Sequence, residues 1–322
     1  MNKDQPGLVE LYRLETEFFP NHVRHTNHAR GSSSRSERVM EDWSQGEVLG
    51  HGGFSVVHRE LESRTGRCRA VKTIDKRRLP TLLDCSRELL VMAILAKVSH
   101  ESLFVTFLGW FEDRDTLYIT MEYLEKGDLR RYIGKPLEQE TVQKITKQVL
   151  ECLDAMHRNG IAHRDLKPEV RFNIFVVSMS PVWVKLRDFG ISKRIRAQDS
   201  TSFRTQVSTR VYAAPEVLGL DSNSETSEYT NAVDIWSLGC VIYELLAGSK
   251  LFPTEGVISY YFFGRWIFPE DELRRLSPTT SDSGISLIKS MISLQAGDRP
   301  TVLGSLGHTW ISSLESNSDG DV

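Results

Sequence analysis

The hydrophobic pattern of this chain changes period once, and that change limits what it can fold into. From Trp43 to about Tyr123, short strand-like runs recur, among them 55–58, 68–74 and 116–121. One helical stretch interrupts them, from about Thr81 to Val98, with Leu82, Leu83, Leu89, Leu90, Met92 and Leu95 at helical spacing. After Gly127 the pattern turns mostly helical. Residues 138–157 place Val142, Ile145, Val149, Leu150, Leu153 and Met156 on one helix face, closed by Asn159-Gly160. Residues 231–246 are nearly all apolar, as in a helix buried on every side. The expected architecture is α+β. A small antiparallel β-rich lobe with one main helix spans 43–123, a larger helical lobe spans 124–312, and a ligand cleft lies between them.

The flanks read differently. Residues 1–42 are expected to be a flexible segment, with Gly31-Ser32-Ser33-Ser34-Arg35-Ser36 as a polar linker. His22, His25 and His28 recur every third residue, a spacing that on a helix aligns three imidazoles for a metal; the alternative is a solvated basic tail. The Ser/Asp-rich end, 313–322, is expected to be disordered. A net charge of −3 gives no general attraction to nucleic acid or to an anionic membrane. The four cysteines, Cys68, Cys85, Cys152 and Cys240, form no paired motif, which suits a reducing compartment. Residues 1–20 are dotted with charges and lack an apolar core segment, so no secretory leader is expected, and no apolar run approaches the roughly 20 residues of a membrane span. The expected location is intracellular, cytoplasmic or nuclear.

Several short motifs carry chemistry. Gly50-His51-Gly52-Gly53-Phe54-Ser55-Val56-Val57 is a glycine-rich turn whose backbone N–H groups can approach phosphate oxygens. It leads into a β-branched strand rather than a helix, which disfavours a dinucleotide-binding βαβ unit. Ala70-Val71-Lys72 and Ser86-Arg87-Glu88 follow, then Met121-Glu122-Tyr123-Leu124 and Asp128. Farther on come His163-Arg164-Asp165-Leu166-Lys167, Asp188-Phe189-Gly190, Ala214-Pro215-Glu216, Asp234 and Gly297-Asp298-Arg299. In that order, over about 43–312, the series resembles the eukaryotic protein kinases, and Lys167 two after Asp165 resembles the serine/threonine type. His308-Thr309-Trp310-Ile311 is similar to the last helix of the calmodulin-dependent and checkpoint kinases.

The resemblance implies roles. Lys72 would grip the α- and β-phosphates of ATP, with Glu88 as its ion-pair partner. Gly50, Gly52, Gly53, Ser55, Val57, Ala70, Met121, Glu122, Leu124, Asp128 and Phe175 would surround the nucleotide. Asp165 would take up the hydroxyl proton of the acceptor, Lys167 would stabilise the γ-phosphate, and Asp188 and Asn173 would hold Mg²⁺. Glu216 would pair with Arg299, and Asp234 would hold the catalytic-loop backbone. Thr209 would lie near that loop. Thr205 would be the site of an activating phosphate, set by another kinase or by the chain itself, with Arg164 and Lys193 as its pocket; Ser200, Thr201 and Ser202 compete. The partner implied is a protein substrate with a serine or threonine acceptor. No nucleic acid and no membrane is implied.

The chain departs from the family pattern at four places. Ser55 stands for the third glycine of the loop, and Ser208 for another glycine. Arg187 precedes Asp188, where the family has a small residue; its guanidinium either meets phosphate, obstructs the pocket or reaches solvent. The largest departure is Val170-Arg171-Phe172, inserted between Asp165 and Asn173. Either the three residues loop out and Asn173 returns to the metal, or register and one metal ligand are lost, or the tripeptide marks a misplaced splice boundary. The two functions left open are a serine/threonine kinase and an ATP-binding pseudokinase scaffold.

Overall fold

The computed structural model describes residues 5–29, 37–52, 55–79, 86–98, 103–161, 174–187, 210–220 and 231–316. These divide into two compact units. The first holds the residues up to Val98 together with Val105–Leu124; the second holds Leu103, Phe104 and those from Glu125 on.

The first unit is a sheet with two helices. In chain order it runs through α1 (Gln5–Glu10), β1 (Glu15–Phe18), β2 (Val23–Ala29), β3 (Glu37–His51), β4 (Ser55–Glu62), β5 (Cys68–Asp75), α2 (Ser86–Val98), β6 (Phe107–Glu112) and β7 (Thr116–Glu122). The seven strands lie in the order β1-β2-β3-β4-β5-β7-β6, every neighbour antiparallel. The three sequence-expected strand runs fall in β4, β5 and β7, and the expected helix is α2, whose Leu89, Met92, Ala93 and Leu95 are buried.

The expectation of a flexible segment over 1–42 is corrected at 5–29 and 37–42. There α1, β1, β2 and the start of β3 are regular, and the sheet begins before Trp43. The physical reason is a face that the first strands cover. His25 packs its ring edge-on against Phe111 at 4.9 Å, and Phe18 approaches Phe111 at 5.8 Å and Tyr118 at 5.9 Å. Behind them lies a buried ion pair: Arg69 donates to Glu60 at 2.7 and 2.9 Å, with its guanidinium 4.1 Å from the Trp43 ring. Because β2 is a strand, the helical alignment of His22, His25 and His28 does not form.

The second unit is mostly helical. Its elements are α3 (Gln139–Arg158), the hairpin β8 (Ile174–Met179) and β9 (Val182–Leu186), α4 (Ala232–Ala247), α5 (Glu255–Phe262), α6 (Glu270–Arg274), α7 (Asp282–Met291), α8 (Val302–Leu306) and α9 (Thr309–Ser316). Helix α3 buries all six residues of its expected face and ends on Asn159, followed by Gly160 at φ 68°, a left-handed geometry that suits glycine. Helix α4 is buried from Val233 to Leu246, as its unbroken apolar run requires. Leu103 joins this unit because its carbonyl accepts from Leu186 N at 3.0 Å and from Cys152 Sγ at 3.1 Å. Leu124 falls with the first unit, one residue past the expected boundary. The disordered tail expected from 313 is corrected as far as Ser316. Helix α9 continues through it, tied by Gln143 Nε2 to the Trp310 carbonyl at 2.5 Å and to Ser313 Oγ at 3.4 Å. Residues 317–322 lie outside the described ones.

Burial, with Arg69 close by, pushes the His25 pKa down to about 3. The unfolded chain therefore takes up a proton near pH 6.5 that the folded one refuses until about pH 3. Stability from this group is full above pH 6.5 and falls with pH through that window. Denaturant unfolding at pH 7 and pH 5 should show a loss on the order of 1–2 kcal/mol at the lower pH. His25→Phe should remove that part of the pH dependence; an unchanged slope would contradict it.

Candidate functional site

The register of the first unit brings its candidate residues onto one face. Gly50 pairs with Val57, Val57 with Lys72, and Lys72 with Ile119 across four adjacent strands. Ala70 pairs with Met121 two residues along. Directly opposed residues share a sheet face, and so do residues two apart on one strand, so Val57, Ala70, Lys72 and Met121 stand together. Ala70 and Met121 are buried, which makes this face apolar around one cation. That cation, Lys72 Nζ, donates to Glu88 Oε1 of α2 at 2.5 Å, and both side chains are buried.

The glycine turn caps this face. Gly52 N–H donates to the Ser55 carbonyl, closing β3 onto β4. A Cβ on Gly52 would stand 2.9 Å from that same carbonyl oxygen, so the turn excludes a side chain there. At the far end of β7, the Glu122 carboxylate accepts from Thr106 N at 2.6 Å and Thr106 Oγ1 at 2.9 Å. Glu122 N–H donates to the Thr106 carbonyl at 3.0 Å. Leu124 follows in the loop and is half-buried.

In the second unit Asp128 and Phe175 are neighbours, joined by an antiparallel bridge, and Val176 N–H donates to the Gly127 carbonyl at 2.9 Å. Asp128 caps the turn that follows, accepting from Arg130 N at 3.1 Å, and its carboxylate also takes the Arg130 guanidinium at 2.8 Å. The Arg187 guanidinium lies 5.3 Å from the Phe175 ring, so its charge faces an aromatic surface within this unit.

Helix α4 organises the rest of the unit. Asp234, fully buried in its first turn, meets His157 Nε2 of α3 at 3.0 Å. Ser237 Oγ donates to the Tyr212 carbonyl at 2.9 Å, and the Tyr212 hydroxyl donates to Glu244 at 2.7 Å. The expected pair of Glu216 and Arg299 is present and bidentate, at 2.6 and 2.8 Å. Arg299 also donates to the carbonyls of Ala232, Ser293 and Leu294 and lies 5.0 Å from the Trp236 ring. Segment 210–220 is thus fastened to α4 at Tyr212 and to Arg299 at Glu216. Burial pushes the thiols of Cys152 and Cys240 well above the ordinary range, so neither is available as a nucleophile.

Gly53, Asp165, Lys167, Asn173, Asp188, Thr205 and Thr209 lie outside the described residues, as does the insertion 170–172. Sequence reasoning did not find the contacts His157–Asp234, Tyr212–Glu244 or Glu60–Arg69. A charged residue inside an otherwise apolar run, as at Asp234 and Glu244, is the signal that would have flagged two of them. Among the described residues no cluster of His, Cys, Asp or Glu is arranged to hold a metal, and no helix is long and apolar enough to cross a membrane.

The Arg299 guanidinium is fully buried and Glu216 largely so. Removing one partner leaves the other uncompensated, at a cost of about 3–5 kcal/mol. Arg299→Leu should lower chemical-denaturation stability by that order, and a loss within ~0.5 kcal/mol would show the pair to be dispensable.

Comparison with known proteins adds to this geometry. A family model described as protein kinase domain matches residues 43–311. The serine/threonine-protein kinase RAD53 of Saccharomyces cerevisiae is 35% identical over 292 residues, which cover 85% of this chain and 34% of the yeast protein. The serine/threonine-protein kinase cds1 of Schizosaccharomyces pombe is 32% identical, covering 89% of this chain and 62% of that protein. A probable myosin light chain kinase of Dictyostelium discoideum is 32% identical over 86% of this chain and 84% of its own length. The chain spans about a third of the first of these relatives and just under two thirds of the second.

Proposed function

Because the chain belongs to the protein kinase family, with serine/threonine kinases among its relatives, we propose that it transfers the γ-phosphoryl group of ATP to serine and threonine hydroxyls of a protein substrate. The observation that carries this reading is the buried ion pair of Lys72 and Glu88 on the face shared by Val57, Ala70 and Met121. An apolar face around a fixed cation, next to a turn that admits no side chain at Gly52, suits a purine nucleotide with its phosphates at the lysine. Glu88 sets the direction of the Lys72 ammonium, and Lys72 carries phosphate charge.

Glu122 and Leu124 meet the adenine edge through backbone groups, and Phe175 forms the floor beneath the ring. Asp128 faces the ribose. Asp165 accepts the proton of the acceptor hydroxyl, and Lys167 stabilises the transferring phosphoryl. Magnesium, when bound, neutralises charge across the phosphates, and Asp188 and Asn173 are the residues that would hold it. Thr205 is the acceptor of an activating phosphate, from another kinase or from the chain itself, with Arg164 and Lys193 as the residues that would receive it; mass spectrometry of the active protein tests it directly.

A second reading rests on one observation, the insertion of Val170-Arg171-Phe172 between Asp165 and Asn173. On that reading the chain is a scaffold that binds ATP without transferring phosphate. Transfer of labelled phosphate to a generic protein substrate, run beside thermal shift with ATP in the presence and absence of Mg²⁺, separates the two. Asp165→Asn should lower transfer roughly 100- to 10,000-fold while leaving the unfolding temperature unchanged. Wild-type stabilisation by Mg-ATP without transfer, with transfer gained on deleting 170–172, would establish the scaffold reading instead.

A further inference from the structure

Residues 5–29 lie outside the stretch that matches the kinase family, yet they are part of the first unit. Helix α1 lies against α2, the helix that carries Glu88, and α2 in turn touches β6. Residues 9–14 run along the outer edge of β6. The Trp110 indole N–H donates to the Val9 carbonyl at 2.9 Å, Trp110 N–H to the Tyr12 carbonyl at 3.0 Å, and Leu14 N–H to the Trp110 carbonyl at 2.8 Å. The Tyr12 ring meets Phe107 at 5.0 Å. The Arg13 guanidinium stacks 4.9 Å from the Trp110 ring and donates to Glu112 at 3.2 Å. Gly109, at φ 135°, makes room: a Cβ there would stand 2.7 Å from the Tyr12 carbonyl oxygen and 2.9 Å from Leu14. The approach is thus written into the domain side of the contact as well as into the segment.

We propose that residues 5–14 are a built-in clamp on α2, with Tyr12 and Arg13 as positioning residues that hold Glu88 opposite Lys72. The proposal rests on the reading of Lys72 and Glu88 as the phosphate-gripping pair. The physical argument is mechanical. Glu88 serves Lys72 only while α2 stays seated on the sheet, and β6 and α1 both contact α2. The segment 9–14 meets β6 through three hydrogen bonds to backbone carbonyls and three side-chain contacts, and it delivers α1 to α2. Undocking 5–14 therefore removes the support from α1 and leaves the ion pair itself chemically intact. Among the described residues neither Tyr12 nor Arg13 is bonded to a candidate nucleotide residue, but Tyr12 meets Phe107, which pairs with Met121, so the readout that isolates the clamp is exchange in α2 rather than nucleotide handling.

The test uses the full chain with Tyr12→Ala and Arg13→Glu together, read by amide hydrogen exchange. The expected result is loss of protection over 5–14, together with exchange in α2 (Ser86–Val98) faster by about tenfold, and unchanged exchange in α4 (Ala232–Ala247). The conservative pair Tyr12→Phe and Arg13→Lys should restore the wild-type pattern. Stabilisation by Mg-ATP in thermal shift should fall in the first variant and return in the second. In an active chain, kcat/KM for ATP should drop roughly ten- to a hundredfold with KM for the protein substrate unchanged. Residues 5–14 set free with α2 still protected would overturn the clamp, as would a segment that stays docked without both side chains. Should the double variant unfold the whole sheet, Trp110→Phe, which deletes the bond to Val9 and keeps a ring, decides by the same exchange measurement. Exchange does not require transfer, so an inactive wild type would sink the proposed function and leave this result readable.

Discussion

Two charges withdrawn from water together, Lys72 and Glu88, set the geometry from which the rest of the first unit follows. Such a pair adds little stability over an apolar pair of the same shape, but either charge alone in that place is severely costly. Its effect is to fix orientation. With Glu88 facing the sheet, Met92 and Leu95 follow on the same side of α2 at helical spacing, and both are buried. With Lys72 facing α2, Ala70 and Ile74 face it too, and both are buried. A single contact thus selects the rotation of the helix and the face of the strand.

The opposite face of β5 repeats the constraint with Arg69. Its guanidinium pairs with Glu60, lies by Trp43, and stands 5.9 Å from Phe111. Burial lowers the affinity of Arg69 for its proton, and Glu60 opposes that shift. Strand β5 therefore presents a buried cation on each face, and neither face can be left to solvent without loss of its apolar surroundings. The first strands of the chain supply cover on the Arg69 side through His25 and Phe18. The second unit uses one buried arginine in the same way. Arg299 satisfies its guanidinium with Glu216 and backbone carbonyls, and so fixes where segment 210–220 can lie against α4.

The sequence made most of this readable where burial is one-sided or complete. The period of two placed β4, β5 and β7; the helical period placed α2 and α3; and an unbroken apolar run announced α4. Glu216 with Arg299 and Lys72 with Glu88 were legible from the ordered motifs, which encode contacts between residues distant in the chain. The N-terminal strands were not. Glu15–Phe18 and Val23–Ala29 are mostly polar, and such short strands bury too few side chains for periodicity to show. Their burial depends on Phe111 and Tyr118, nearly a hundred positions away, and no local pattern reports it. Likewise His157 and Asp234 each look ordinary alone, since their meaning lies in the approach of α3 to α4.

The extra strands also change what kind of sheet this is. An open sheet presents two rows of unpaired backbone groups, which invite pairing with other chains. Here Tyr12–Leu14 bond the outer edge of β6, and the same backbone continues directly into β1, which pairs with β2 at the other end. One continuous segment, 12–18, therefore occupies both edges, and the strands close on themselves within the first unit. Closure has a mechanical consequence. In an open sheet β3 and β6 are free to move apart, whereas here any such motion must break bonds at Trp110, between β1 and β2, or between β2 and β3. Since α2 touches β6, and Lys72 sits on a central strand, the closed ring ties the distance between them to the state of the N-terminal segment. The family-matched stretch brings the two charged groups, and the residues before it narrow the range of positions in which those groups meet.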